Sequence, residues 1–155
     1  MSFTLCSIDA STKSTGLSLF NDGVYSSSTL IQFGDKEMDK RFKKMSDAIL
    51  LFLEDNRPDI IYMEEAVVLR NAQTQRFLVR LQGVVYAWSI LNNADCEFIR
   101  PTEWRSLVGI KSGKKKREEL KKEAINLAKE KLNIEVNDDV AESILIGMAA
   151  INKYN

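Results

Sequence analysis

Phe3-Thr4-Leu5-Cys6-Ser7-Ile8-Asp9 is a short, mostly apolar run that ends on an acid. A polar turn follows, Ala10-Ser11-Thr12-Lys13-Ser14-Thr15-Gly16, and then a second apolar run, Leu17-Ser18-Leu19-Phe20. Asn21-Asp22-Gly23 is a strong hairpin signal, because both central turn positions favour residues that tolerate positive φ. Residues 24–33 return as a third, more polar strand. The opening therefore reads as a three-stranded antiparallel meander, and its first strand delivers a carboxylate to its own end.

Working outward, residues 36–55 switch to helical spacing, with Met38, Phe42, Met45, Ile49, Leu50, Phe52 and Leu53 recurring at three and four. Pro58 stops that helix. Ile60-Ile61-Tyr62-Met63 has the character of a buried strand and again ends on acids, Glu64-Glu65. Residues 71–91 form a second helix with Phe77, Leu81, Val84, Val85 and Trp88 on its apolar stripe and Gln73, Arg76 and Arg80 on the other side. Residues 96–99 make a last short strand before Pro101. Residues 114–132 read as a basic amphipathic helix, and Asn137 or Asp138 caps a final helix through Ile151. The order of elements implies an α/β domain over residues 1–155. Its mixed five-stranded sheet combines the meander with two parallel strands, and helices cover both faces. Ligands in such sheets gather at the carboxyl ends of the strands, where Asp9 and Glu64 lie.

Composition narrows the chemistry. The chain has 155 residues, enough for one real core, and no histidine. That removes the usual general base and the commonest transition-metal ligand, so hydrolysis must run on carboxylates, lysines or a carboxylate-held metal. Cys6 and Cys96 are too few for a disulfide framework or a zinc site and read as reduced, buried thiols. With neither a secretory leader nor a membrane-length apolar run, the chain is expected in the cytoplasm. Net charge is zero, yet residues 111–122 hold seven cations (Lys111, Lys114, Lys115, Lys116, Arg117, Lys121, Lys122) against Glu118 and Glu119. Such a local cluster suits either a docked polyanion or a solvated helix face.

Four acids stand out together. Asp9 and Glu64 end buried strands. Asp139 and Glu142 lie three apart near the start of the last helix and so share a face. Helix capping is the plain reading for the latter two, but Asn137 and Asp138 already fill that role. Three or four carboxylates on rigid elements are what hard divalent ions such as magnesium need, and a pair of such ions can drive phosphodiester hydrolysis.

These stretches resemble the RuvC family of Holliday-junction resolvases, in particular its short, phage-encoded members of lactococcal type. Ser7-Ile8-Asp9 with Gly16 seven residues after the acid matches the first family motif, and Tyr62-Met63-Glu64-Glu65-Ala66-Val67 resembles the second. Asn71-Ala72 and Gly83-Val84 fall in register downstream. Val108-Gly109-Ile110 with the lysine-rich loop resembles the third region, and Asp139-Val140-Ala141-Glu142-Ser143 the closing motif. The likeness spans residue 5 to about residue 150. It implies a ribonuclease H-like fold, a homodimer, branched DNA as partner, and two divalent ions per site, Mg2+ or Mn2+, held by Asp9, Glu64, Asp139 and Glu142. In this reading Asp9 bridges the ions, and Lys115 is the active-site lysine. Lys111, Lys114, Lys116, Arg117, Arg105, Arg76 and Arg80 would hold the DNA backbone, giving affinity that falls with salt. Three positions depart from the family. Glu142 stands where many members have Asp. Val67 stands where an aromatic often stacks on a junction base, which implies that forks, flaps and three-way branches are cut as well. Trp104 replaces a lysine, leaving Arg105 beside it for the phosphate.

Two other functions fit the same fold. An ATP-binding phosphotransferase also starts with an Asp-ended strand and a glycine turn, but it needs glycine-rich adenosine loops that seven glycines in the whole chain do not build. A non-catalytic module binding branched nucleic acid would need no such acids, which only repel phosphate unless a metal intervenes.

Overall fold

Asp22 and Gly23 both take positive φ, 50° and 82°, as a two-residue primed turn requires. They fold strand β2 (Ser14–Asn21) against β3 (Val24–Gln32). The computed structural model describes residues 2–67 and 71–154. In it β1 (Thr4–Asp9) pairs antiparallel with β2 and parallel with β4 (Ile60–Glu64), which pairs parallel with β5 (Asp95–Ile99). The sheet order is β3-β2-β1-β4-β5, so the meander and the two parallel strands stand as expected. Because Ile8 faces Met63 across the β1–β4 register, the next residues, Asp9 and Glu64, emerge side by side.

Alternation along the strands sends successive side chains to opposite faces. Cys6, Ile8, Leu17, Leu19, Ile61 and Met63 form one core with Met45, Ile49 and Leu53 of α1 (Met38–Asn56) and Leu81, Val85 and Trp88 of α2 (Ala72–Leu91). On the opposite face Leu5, Phe20, Ile60, Tyr62 and Ile99 pack with α3 (Pro101–Leu107), α4 (Arg117–Leu132) and α5 (Asp138–Tyr154). The α5 helix lies across β1 and β2. Cys6 is buried, Cys96 is half-buried, and both are free.

Beyond shifts of one or two residues at the ends of α1 and α2, the helices differ from expectation in three places. Periodicity did not single out α3, a seven-residue helix with Pro101 in its first turn, because it is too short to show a repeat. The helix expected from residue 114 begins at Arg117, with Lys116 as its N-cap. Its first turn carries Glu118 and Glu119, which favour the positive end of the helix dipole, whereas lysines there oppose it. Lys114 and Lys115 thus stay in the preceding loop. Finally, α5 continues past Ile151 to Tyr154, whose hydroxyl lies 2.6 Å from that of Tyr62.

Candidate active site

The acids are brought together by the backbone of β2 and α5. Gly16 is the partner of Asp9 in the β1–β2 ladder. A β-carbon on Gly16 would collide with the Asp139 carbonyl and come within 2.8 Å of the Val140 nitrogen. Only glycine lets the first turn of α5 rest on this strand. Two turns further on, a β-carbon on Gly147 would strike the Phe20 ring and approach the Ser7 hydroxyl to 2.7 Å. Between these contacts, Ser7 donates to the Ser143 carbonyl at 2.5 Å, and the Ser143 and Ser18 hydroxyls lie 2.6 Å apart. Asn137 caps the helix by accepting from the Val140 N–H at 2.9 Å. The helix is therefore set down with a fixed register, and Asp139 and Glu142 face Asp9 and Glu64.

Each acid has a definite environment. The Trp104 indole N–H donates to Glu64 Oε2 at 2.7 Å, and the Gln82 side-chain amide donates to the Glu64 carbonyl at 2.9 Å. The Ser14 hydroxyl donates to Asp139 Oδ2 at 2.5 Å. Burial, and then the negative charges of Glu142, Glu64 and Asp139, push the Asp9 carboxyl well above the usual range. Burial and the neighbouring Glu64 raise Glu142 to about 7, against the pull of its hydrogen bond with Asp9 and of Arg105. Burial also raises Glu64, opposed by Trp104, Arg105 and Arg117, and it raises Asp139, opposed by Ser14. Burial is the first cause in every case, and the acids' mutual repulsion adds to it at Asp9 and Glu142.

All four acids line one cleft of about 1060 Å³. Arg105 and Arg117 line it too, as does Lys121 of the same basic cluster as Arg117, and so do Lys13, Arg41 and Arg100, which sequence reasoning did not single out. Arg41 is held there by donating to the Asp35 carbonyl at 2.9 Å, and Lys121 pairs with Asp138 at 3.3 Å. Lys13, Arg41 and Arg100 had no signal in the sequence because their segments reach the cleft only through the fold. The remaining expected cations are elsewhere. Lys111, Lys114 and Lys116 are exposed in the loop before α4 and do not line the cleft. Lys115 does not line it either and donates to Glu123 Oε1 at 2.6 Å. Arg76 and Arg80 are exposed on α2 but turned away from the cleft, to which that helix sends Thr74, Leu78 and Gln82; Arg80 lies over the Phe77 ring at 5.0 Å.

Val67 lines the cleft and is 47% exposed, and three aromatic side chains that could stand in for a stacking ring are engaged elsewhere. Phe77 packs edge-on against Phe42, Tyr86 stacks on Phe98, and Trp104 is fully buried.

An all-oxygen set of crowded carboxylates fits a hard divalent cation. Among the described residues no three acids already close to a ligand cage. Glu64 and Asp139 each keep one oxygen bonded to Trp104 or Ser14 and one free of those bonds.

The arrangement of sheet and helices is that of the ribonuclease H-like class. Two solved structures of Thermus thermophilus RuvC superpose on the chain. One, in complex with a Holliday-junction substrate, has a TM-score of 0.75 and 13% identity and covers 98% of this chain and 95% of that one. The other has a TM-score of 0.73, 14% identity and coverage of 98% and 96%. The yeast mitochondrial Holliday-junction resolvase follows with a TM-score of 0.62, 17% identity and coverage of 96% and 77%. No family model and no characterised protein matches by sequence. Among the described residues no helix is long and apolar enough to cross a membrane.

Proposed function

We propose that the chain is a divalent-metal-dependent endonuclease that cuts branched DNA, with the four-way junction as its principal substrate. The observation that carries this reading is the meeting of Asp9, Glu64, Asp139 and Glu142 in one cleft lined by basic side chains. Acids alone would expel a phosphodiester, and the surrounding cations alone would need no acids. A cleft holding both suits a metal-assisted cut in a polyanion. The likeness to RuvC structures, one of them holding a junction, supports the same reading.

Asp9, Glu64, Asp139 and Glu142 would hold Mg2+ or Mn2+, two ions per site by resemblance. When bound, such ions activate water and offset charge on the scissile phosphate. Lys13, Arg41, Arg100, Arg105 and Arg117 grip the sugar–phosphate backbone and set its register without reading bases. Lys115 joins by exchanging Glu123 for a phosphate oxygen and stabilises the charge that develops there. A valine at position 67 offers no flat ring to stack on a base, so forks, flaps and three-way branches belong to the substrate range too. The homodimer implied by resemblance belongs to this reading, and the exposed Val79, Tyr86, Ile90 and Leu91 of α2 offer apolar surface for it.

The test incubates the protein with a labelled four-way junction, with and without Mg2+, and measures ATP turnover in parallel. Metal-dependent nicking is the expected result. ATP turnover without nicking would select the phosphotransferase, and junction binding with neither activity the non-catalytic module.

A further inference from the structure

Glu64 is clamped at both ends by side chains from two different helices. Its backbone carbonyl is held by Gln82 from α2, and its side chain by Trp104 from α3. Trp104 is completely buried in the core shared with α5, so the indole cannot swing away without disturbing that core. Its N–H points at Glu64 Oε2 at 2.7 Å, which leaves Oε1 unencumbered by this bond. The outer side of the ring is covered by Arg105, whose guanidinium carbon lies 5.0 Å from the ring centre.

We propose that Trp104 is a positioning residue for the metal site: its indole N–H ties one oxygen of Glu64 and presents the other to the cation. This inference rests on the nuclease reading for its activity readout, but not for its binding readout. The chemistry suits the task. Indole is a neutral, donor-only group, so it orients a carboxylate without bringing a positive charge that would compete with the cation for it. A lysine or arginine in the same place would orient Glu64 and oppose the metal at once. The bond also costs little mobility when the cation arrives, because the ring is already fixed by packing. Partners that orient a ligand in this way typically contribute about 10- to 100-fold to metal affinity or activity.

The decisive variant is Trp104→Phe, which keeps an aromatic ring in the core and removes only the donor and part of the volume. Val108→Ala serves as a control, since Val108 is buried in the same core and its side chain has no hydrogen-bonding group to offer Glu64. Two readouts are followed against Mg2+ concentration: the nicking rate on a four-way junction, and the rise in melting temperature that the cation produces without DNA. For Trp104→Phe the nicking rate at limiting Mg2+ should fall about 10- to 100-fold and recover in part at high Mg2+. The cation concentration needed for the melting rise should increase by a similar factor, while junction affinity without metal stays unchanged. Val108→Ala should melt earlier with an unaltered Mg2+ midpoint. Wild-type midpoints in Trp104→Phe by both readouts would overturn the proposal, as would an equal shift in Val108→Ala. Wild-type protein that responds to cation but does not nick removes the nuclease reading alone, and the melting comparison still decides the role of Trp104. Wild-type protein with no response to cation overturns both.

Discussion

The two faces of the sheet are built on opposite principles. Toward α1 and α2, Cys6, Ile8, Leu17, Ile61 and Met63 meet Met45, Ile49, Leu53, Leu81 and Val85 in an apolar layer. Large side chains fill space there, and volume is what matters. Toward α5, the same strands turn Ser7, Gly16 and Ser18 to the helix, which answers with Ser143 and Gly147. Here backbones approach closely and hydroxyls fix the register. The difference teaches where the molecule requires stability and where it requires position. The α1/α2 face holds the sheet together, whereas the α5 face carries two of the four acids and tolerates no slippage.

The largest expected effect lies within the acid cluster. Asp9→Asn should abolish metal-dependent nicking and leave junction binding equal or tighter, because a ligand is lost and a charge that repels phosphate is removed. Gel-shift and nicking assays on one preparation measure both. Full nicking in this variant would dissolve the distinction between the faces, since the α5 face would then position nothing of consequence.

Next comes a pair of variants that separates the faces directly. Gly16→Ala forces α5 off the strand. It should slow cleavage about 100-fold, the scale of a misplacement near 1 Å, and destabilise by about 1–3 kcal/mol through overpacking. Ile49→Ala should cost more stability, about 2–5 kcal/mol, yet leave the cleavage rate near wild type well below its melting temperature. Denaturant titration and single-turnover nicking give the two quantities. Equal activity losses in both variants would show that the faces are not specialised.

Much of this was legible in the sequence, and the reason is physical. Asp9 and Glu64 interrupt the pattern of a buried strand at its end, and Asp139 and Glu142 exceed what a helix start needs once Asn137 has capped it. Hairpin and helices followed from turn chemistry and spacing. Other features had no local signature. Lys13, Arg41 and Arg100 reach the cleft only because the fold brings separate segments together. Arg76 and Arg80 lie on a helix that touches the cleft, but on another part of its circumference, and spacing alone did not tell which part faces the acids. Trp104 reads in sequence as a departure from a lysine; only the structure puts its N–H on Glu64.

A smaller effect probes the hydroxyls of the α5 face. Ser18 lies 2.6 Å from the Ser143 hydroxyl and 2.9 Å from that of Ser28. Ser18→Ala should destabilise by about 1 kcal/mol, the net worth of a buried hydrogen bond, and slow cleavage more than a deletion of equal cost on the α1/α2 face, such as Ile49→Val. Matching activities in those two variants would mean that the hydroxyls add stability alone.

The central claim is that the α5 face presses acids together against their own repulsion so that a cation can bind them, and its most direct test is a melting curve. The folded state raises Glu142 from 4.5 to about 7 and Asp9 well above its ordinary value. Carboxyls whose folded pKa is raised stabilise the chain while they are protonated, and that contribution is lost as pH rises through the folded value. Melting temperature is measured from pH 4.5 to 8, with and without Mg2+, in wild type and in Asp9→Asn. Without metal, wild type should lose stability relative to Asp9→Asn as pH climbs from about 4.5 through about 7. Mg2+ should restore it most at the alkaline end, where the acids are charged, and only in wild type. Parallel pH profiles for the two proteins, with no Mg2+ response in either, would contradict the account.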